Sequence, residues 1–154
     1  MGLIDRIIVQ RIYLDTNIFI YAVEGYAEYL DVLTELFEKM DQGALTAVSS
    51  ELTLAEILVK PIKDENLKAQ DIYQQILQTS VGLEMVPVTR DILIEAARIR
   101  AQFGQKLPDA IHLGTAYLHN CSVFLTNDKR IKGITGVSRV LIDELVESHF
   151  GGLW

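Results

Sequence analysis

The sequence predicts an α/β domain: five strands in a mostly parallel sheet, with helices covering both faces. Three observations predict it. Five short β-branched runs recur along the chain, longer stretches with helical spacing of apolar residues separate them, and 49% of the 154 residues are hydrophobic. Strands that alternate with helices pair in parallel, and a sheet buried on both faces needs strands that are apolar throughout.

The elements follow in order. Residues Met1 to Gln10 precede the first strand as an N-terminal extension, and their Ile7-Ile8-Val9 run reads as an extra strand, a lengthening of the first one, or a partner contact. Ile12 to Leu14 is the first strand, and Leu30, Leu33, Phe37 and Met40 then mark one face of a helix. The second strand is Leu45 to Val48. Lys60 to Asn66 is the most loop-like interior stretch and separates two helices, the later one carrying Leu67, Tyr73, Ile76 and Leu77. Met85 to Val88 is the third strand, Ile92, Ala96, Ile99 and Phe103 mark a further helix, and Ile111 to Leu118 another. Ser122 to Leu125 and Arg139 to Ile142 complete the sheet. Gly43, Gly82, Gly104 and Asn120 lie just past helical segments, where a left-handed closing residue is favoured. Residues 149–154, with Phe150 and Trp154 on flexible glycines, form a tail that docks, meets a partner or frays. Neither a repeat nor a proline-rich linker interrupts the chain, so residues 1–154 are read as one domain.

Composition narrows the function. No apolar run approaches the roughly 20 residues that cross a bilayer, and the N-terminus lacks the pattern of a signal peptide. A soluble, cytoplasmic protein with no membrane partner is expected. Cys121 is the sole cysteine, which excludes an internal disulfide and a cysteine-based zinc cluster. The net charge of −7 argues against nucleic-acid binding through a broad basic surface. It leaves room for an enzyme whose clustered carboxylates become a cationic centre once loaded with metal, and it suits a basic protein partner.

In open parallel sheets, ligands bind beyond the carboxyl ends of the strands. Asp15 follows the first strand directly, and Asp128 closes Thr126-Asn127-Asp128 after the fourth. Glu56 lies in a helix after the second strand, and Asp109 follows Pro108 at another helix start. Each acid also has a structural use. Asp15-Thr16-Asn17 suits an N-cap or turn, Thr53-Leu54-Ala55-Glu56 matches a capping box, Asp109 suits a helix dipole, and Asp128 suits a turn before Lys129-Arg130. Taken together, the four acids offer hard oxygen ligands for Mg2+ or Mn2+, which fits metal-assisted phosphodiester hydrolysis.

The ordered set Leu14-Asp15-Thr16-Asn17, Glu56, Leu107-Pro108-Asp109-Ala110-Ile111-His112 and Leu125-Thr126-Asn127-Asp128 resembles the PIN-domain nucleases. Within that family it is most similar to the VapC-type toxins, the ribonuclease halves of toxin–antitoxin pairs. The resemblance spans Tyr13 to about Ile142. It implies a three-layer, Rossmann-like α/β/α sandwich, Mg2+ or Mn2+ as cofactor, and RNA cleavage leaving a 5′ phosphate and a 3′ hydroxyl. It further implies that Asp15, Glu56, Asp109 and Asp128 bind metal and activate water, with Asp128 the least direct ligand. Thr16, Asn17 and Thr126 flank those acids as orienting groups. A homodimer and an antitoxin protein are the implied partners.

Other candidates carry competing readings. His112 lies three residues after Asp109 and either approaches phosphate or metal or, as expected, is a partly buried structural histidine. Lys106, Lys129, Arg130 and Lys132 flank two motifs as RNA-backbone contacts or as ordinary surface charge. Phe19, Tyr21, Tyr26 and Tyr29 are spaced for core or dimer packing rather than base stacking. Three rival functions remain: a PIN enzyme of RNA processing without an antitoxin, a haloacid-dehalogenase-like phosphatase, and an inactive binding module. The phosphatase wants a second Asp where Asn17 stands, and the presence of all four acids opposes the inactive module.

Overall fold

Polar side chains start four of the α-helices among the described residues. Asp15, Ser50, Asn66 and Thr89 each stand just before a helix, and each side-chain oxygen accepts a backbone N–H of the first turn. The computed structural model describes residues 3–7 and 11–151, with side chains for 5–7 and 11–147. In chain order the elements are α1 (Leu3–Ile7), β1 (Ile12–Leu14), α2 (Thr16–Glu24), α3 (Leu30–Asp41), β2 (Ala47–Ser50), α4 (Glu51–Lys63) and α5 (Leu67–Ile76). Then come β3 (Leu83–Val86), α6 (Arg90–Phe103), α7 (Leu107–Leu118), β4 (Val123–Thr126), β5 (Ser138–Leu141) and α8 (Ile142–Gly151). A 3-10 turn over Ala27–Tyr29 joins α2 to α3.

All strand pairs are parallel, in the order β3-β2-β1-β4-β5. Successive strand residues point to opposite faces, and two cores result. Ile12, Leu14, Ala47, Met85 and Leu125 pack with α2, α3, α5 and α8, whereas Tyr13, Val48, Val86 and Phe124 pack with α6 and α7. The expected three-layer α/β/α sandwich is therefore present. The chain builds outward from β1 to β2 and β3 on one side and to β4 and β5 on the other. The connections diverge beyond the carboxyl ends of β1 and β4, the switch point at which open parallel sheets take their ligands.

Several expectations are corrected. The stretch Lys60 to Asn66 is not a loop throughout, because α4 runs to Lys63 with Pro61 inside it. Pro61 sits buried in the last turns, and its carbonyl accepts from Asn66 N and from Gln70 Nε2, which ties α4 to α5. Ile7 ends a short helix rather than joining a strand, and it is buried in the core shared with α8; Ile8, Val9 and Gln10 lie outside the described residues. The expected tail is helical as far as Gly151, and Gly152 to Trp154 lie outside the described residues. Gly82 closes no helix. It enters β3 with φ +80°, and a Cβ there would stand 2.2 Å from the Met40 carbonyl oxygen.

Candidate active site

Asp15 links β1 to α2 and is only 6% exposed. Its Oδ1 accepts the Thr16 N–H at 2.9 Å, and its Oδ2 accepts the Thr126 hydroxyl at 2.7 Å. Its backbone N–H donates to Leu125 O, so β4 fixes it from the side as well. The N-cap reading of Asp15 is correct and compatible with a role in a site. Thr126, fully buried at the end of β4, also accepts the Asp128 N–H at 3.0 Å and Asn17 Nδ2 at 3.4 Å. One hydroxyl thus joins three of the residues singled out from the sequence.

Glu56 reaches the same place from α4. Its Oε1 accepts the Thr16 hydroxyl at 3.0 Å and His112 Nε2 at 2.5 Å. The capping box does not form, because α4 begins after Ser50 and Thr53 lies inside the helix. Thr53 instead shares hydrogen bonds with Thr16 at 3.1 Å and with Ser49 at 3.2 Å, and Ser49 donates to Leu14 O. Burial pushes the Glu56 carboxyl up, but the bond and charge of His112 and the Thr16 hydroxyl outweigh it, leaving Glu56 below its ordinary pKa.

Asp109 lies in the first turn of α7, after Pro108, as expected. No hydrogen bond to its carboxylate is found among the described residues. Burial first, then the charges of Asp15 and Asp128, raise its pKa, Glu56 adding to the effect and His112 opposing it. Asp109 therefore feels all three other acids. Asp128 is handled differently, because its carboxylate turns onto Arg130, accepting the backbone N–H at 2.9 Å and the guanidinium at 3.0 Å. Those bonds hold its pKa below the ordinary value, and the Lys106 charge adds to them.

His112 is more than a partly buried structural residue. It is 1% exposed, with Nε2 on Glu56 and Nδ1 on the Tyr13 hydroxyl at 2.5 Å. Burial alone would lower its pKa, but the Glu56 bond and the charges of Asp15, Glu56 and Asp109 raise it. Tyr13, Thr53 and Asn127 were not singled out as site residues from the sequence. Asn127 Nδ2 donates to the Tyr29 hydroxyl at 2.9 Å, and that hydroxyl donates to Asp143 at 2.8 Å. Phe19 and Tyr29 are buried, and the rings of Tyr21, Tyr26 and Tyr29 pack together, Tyr26 stacked on Tyr29 and Tyr21 tilted against both, so they pack within the chain.

The donor set suits a hard cation. Among the described residues, no three acids, histidines or cysteines stand as a ready-made ligand cage. The two side-chain atoms buried without a partner among the described residues, Asn17 Oδ1 and Asn127 Oδ1, are also oxygens and belong to residues beside these acids.

Comparison with known proteins agrees with this architecture. No curated protein matches the chain. Three solved structures are similar to it. A toxin–antitoxin complex from Klebsiella pneumoniae is 26% identical over 81% of this chain and 93% of its own, with a TM-score of 0.61. VapBC2 from Rickettsia felis, bound to a promoter DNA fragment, is 18% identical over 85% of this chain and 98% of its own, with a TM-score of 0.67. DNA-bound VapBC from Salmonella typhimurium is 18% identical over 86% and 98%, with a TM-score of 0.62. At 18% identity the last two share the fold. Residues 12–137, which run from the first residue of β1 to the turn before β5, match the PIN domain, and the chain is a member of the PIN-domain nuclease family.

Proposed function

We propose that this chain is a metal-dependent endoribonuclease, the toxin of a toxin–antitoxin pair, with Asp15, Glu56, Asp109 and Asp128 as its acidic site. The observation that carries this is the placement of the Asp109 carboxylate, which has no hydrogen bond among the described residues, close enough to Asp15, Asp128 and Glu56 for their charges to raise its pKa. An unpartnered carboxylate held among like charges is costly unless a cation joins it. Asp15, Glu56 and Asp109 would hold Mg2+ or Mn2+, with Asp128 acting at greater remove because Arg130 already engages it.

A bound divalent cation supplies Lewis-acid chemistry, making water more acidic and offsetting charge on the phosphate and the leaving oxygen. The chain's own residues fix the geometry. Thr16 and Thr126 aim the Asp15 carboxylate from both sides, and Thr16 and His112 fix one oxygen of Glu56. Lys106, Lys129 and Lys132 stand near the acids in sequence as cations for the RNA backbone. Asn17 does not offer the acidic group a dehalogenase-like phosphatase needs at its position, and its amide donates to Thr126 instead.

The antitoxin reading is supported by the toxin–antitoxin complexes among similar structures. It is also supported by apolar surface suited to a protein partner: a groove lined by Ile20, Val23, Ile57, Ile72 and Tyr73, and exposed Val59, Ile62 and Leu67 on α4 and α5. A homodimer in the cytoplasm completes the proposal.

The test is cleavage of single-stranded and structured RNA with Mn2+ or Mg2+ and then with chelator, beside Asp15→Asn and Asp109→Asn. Cleavage that needs metal and both carboxylates is expected. Metal-dependent cleavage unchanged in both variants refutes the site, hydrolysis of small phosphate esters alone favours a phosphatase, and folded protein that neither binds metal nor cuts RNA favours a binding module.

A further inference from the structure

We infer that Tyr13 and His112 are positioning residues, a buried pair that reaches through the sheet's α7 face to hold Glu56 at the acidic site. This rests on the reading of Glu56 as one of the metal-holding acids, and it assigns work to two residues buried behind that acid.

The geometry runs in one line. Tyr13 lies in β1, fully buried, with its ring stacked on Phe124 of β4 at 5.0 Å and 9°. Its hydroxyl meets His112 Nδ1 on α7, and His112 Nε2 meets Glu56 Oε1 on α4. A carboxylate only accepts hydrogen bonds, so Nε2 must carry the hydrogen. Tyr13 then serves Nδ1 in either state of the ring, donating to it when the imidazole is neutral and accepting from it when it is charged. A hydroxyl is suited to both tasks, and Phe at this position would manage neither.

The pair also ties together elements that are far apart in sequence. Tyr13 and His112 are 99 residues apart, and His112 and Glu56 are 56 apart. Glu56 sits on a helix that begins one strand away from β1, and apart from His112 its carboxylate is bonded only by Thr16 among the described residues. Without His112, one rotatable side chain would be held by a single hydroxyl. Partners that orient ligands in this way typically change metal affinity or activity by roughly 10–100-fold when removed.

The experiment uses the full chain and two readouts besides cleavage: Mn2+ affinity by calorimetry, and the ring-nitrogen NMR signals of His112. In the wild type, Nε2 should show the signature of a protonated nitrogen, and Glu56→Gln should shift it. His112→Met fills the space without a donor and should weaken Mn2+ binding about 10-fold or more, lowering kcat more than it changes KM. His112→Gln places an amide N–H the same number of bonds from the backbone and should recover most of that loss. Tyr13→Phe, which keeps the stacked ring, should fall between wild type and His112→Met. Thermal unfolding establishes that each variant is folded, and Tyr13→Phe carries the test should His112→Met not fold.

Equal Mn2+ affinity in wild type, His112→Met and Tyr13→Phe overturns the inference, as does an Nε2 signal that ignores Glu56→Gln. A wild type that binds Mn2+ without cutting RNA refutes the nuclease reading alone, and the affinity series still decides the positioning role. If no Mn2+ binds, the metal reading fails, and the NMR signal decides whether His112 holds Glu56.

Discussion

Replacing Thr126 by valine removes one hydroxyl and almost nothing else, and its effect can be worked from the contacts. Thr126 is fully buried, so the isosteric Val leaves neither a cavity nor a clash. The hydroxyl donates to the Asp15 carboxylate at 2.7 Å, and such bonds to a charged group contribute about 1.5–3 kcal/mol. It also accepts the Asp128 N–H at 3.0 Å and, at a long 3.4 Å that adds little, Asn17 Nδ2. Asp128 is partly exposed, so water replaces some of that bond, and the orphaned donor costs about 1 kcal/mol. The sum is about 3 kcal/mol of stability. For a chain of this size each kcal/mol moves Tm by roughly 2–4 °C, which predicts a fall of roughly 6–12 °C. Thermal unfolding in chelator, with Thr126→Ser as the control that keeps the hydroxyl, measures it. A Thr126→Val variant as stable as wild type and Thr126→Ser would refute the claim that this hydroxyl anchors Asp15.

Other perturbations give distinct outcomes. Asp109→Asn should stabilise the metal-free protein near neutral pH. The folded pKa of Asp109 is raised above 3.8, so its favourable contribution is present below that value and is lost as pH rises through the folded pKa, leaving a crowded charge that Asn removes. The gain should vanish by about pH 3, and a variant less stable than wild type at pH 7 in chelator refutes it. Burial pushes the Cys121 thiol up to about 12. Folded protein should therefore resist iodoacetamide at about pH 8 and react only on unfolding, whereas rapid alkylation of the native chain contradicts the buried placement. Gly82→Ala should destabilise far more than Gly104→Ala. Both have positive φ, but only at Gly82 does the added Cβ meet backbone, whereas Gly104 has nothing within 4 Å and should lose only about 1–2 kcal/mol. Equal urea midpoints for the two variants would show that the Met40 backbone yields.

Local signals and long-range ones were unequally legible in the sequence. Apolar runs marked all five strands, though β2 is Ala47–Ser50 rather than Leu45 to Val48 and β3 is Leu83–Val86 rather than Met85 to Val88, because pairing with neighbouring strands sets where the ladder begins and ends. Lys60 to Asn66 read as loop-like, and Pro61 within it is a residue that removes a backbone donor from a helix. Here it lies in the last turns of α4, where its ring is buried and its carbonyl accepts from Asn66 N and Gln70 Nε2. Thr53 and Glu56 have the spacing of a capping box wherever the helix begins, and only the Ser50 cap reveals that they lie one turn further in. Asp15, Asp109 and Asp128 were visible because each sits beside a strand end or a helix start, and Glu56 because it lies in the helix that follows the second strand. His112 could be placed near Asp109 by helical spacing, but its Tyr13 contact depends on packing between β1 and α7 and has no local signature.

The four acids are one constellation in sequence but three kinds of group in space, and this sets how metal should act on stability. Asp15 and Glu56 are held by hydroxyls, a backbone N–H and a histidine, so their charges are already compensated within the chain. Asp128 is compensated by Arg130 at the surface. Among the described residues the Asp109 carboxylate has no hydrogen bond to offset the charges of the other acids, and relief of that repulsion is what a cation would add. A cation present at about 100 times its Kd stabilises the folded state by about 2.7 kcal/mol, or roughly 5–11 °C for a chain of this size. Wild type should therefore gain on adding Mg2+ or Mn2+, while Asp109→Asn, already relieved, should gain little from the same concentration. The double comparison, two proteins with and without metal in one melting series, isolates Asp109 as the residue through which binding and stability are linked. Equal metal-induced shifts in both proteins would move that role to Asp15 and Glu56 and remove the electrostatic argument for Asp109 as a ligand.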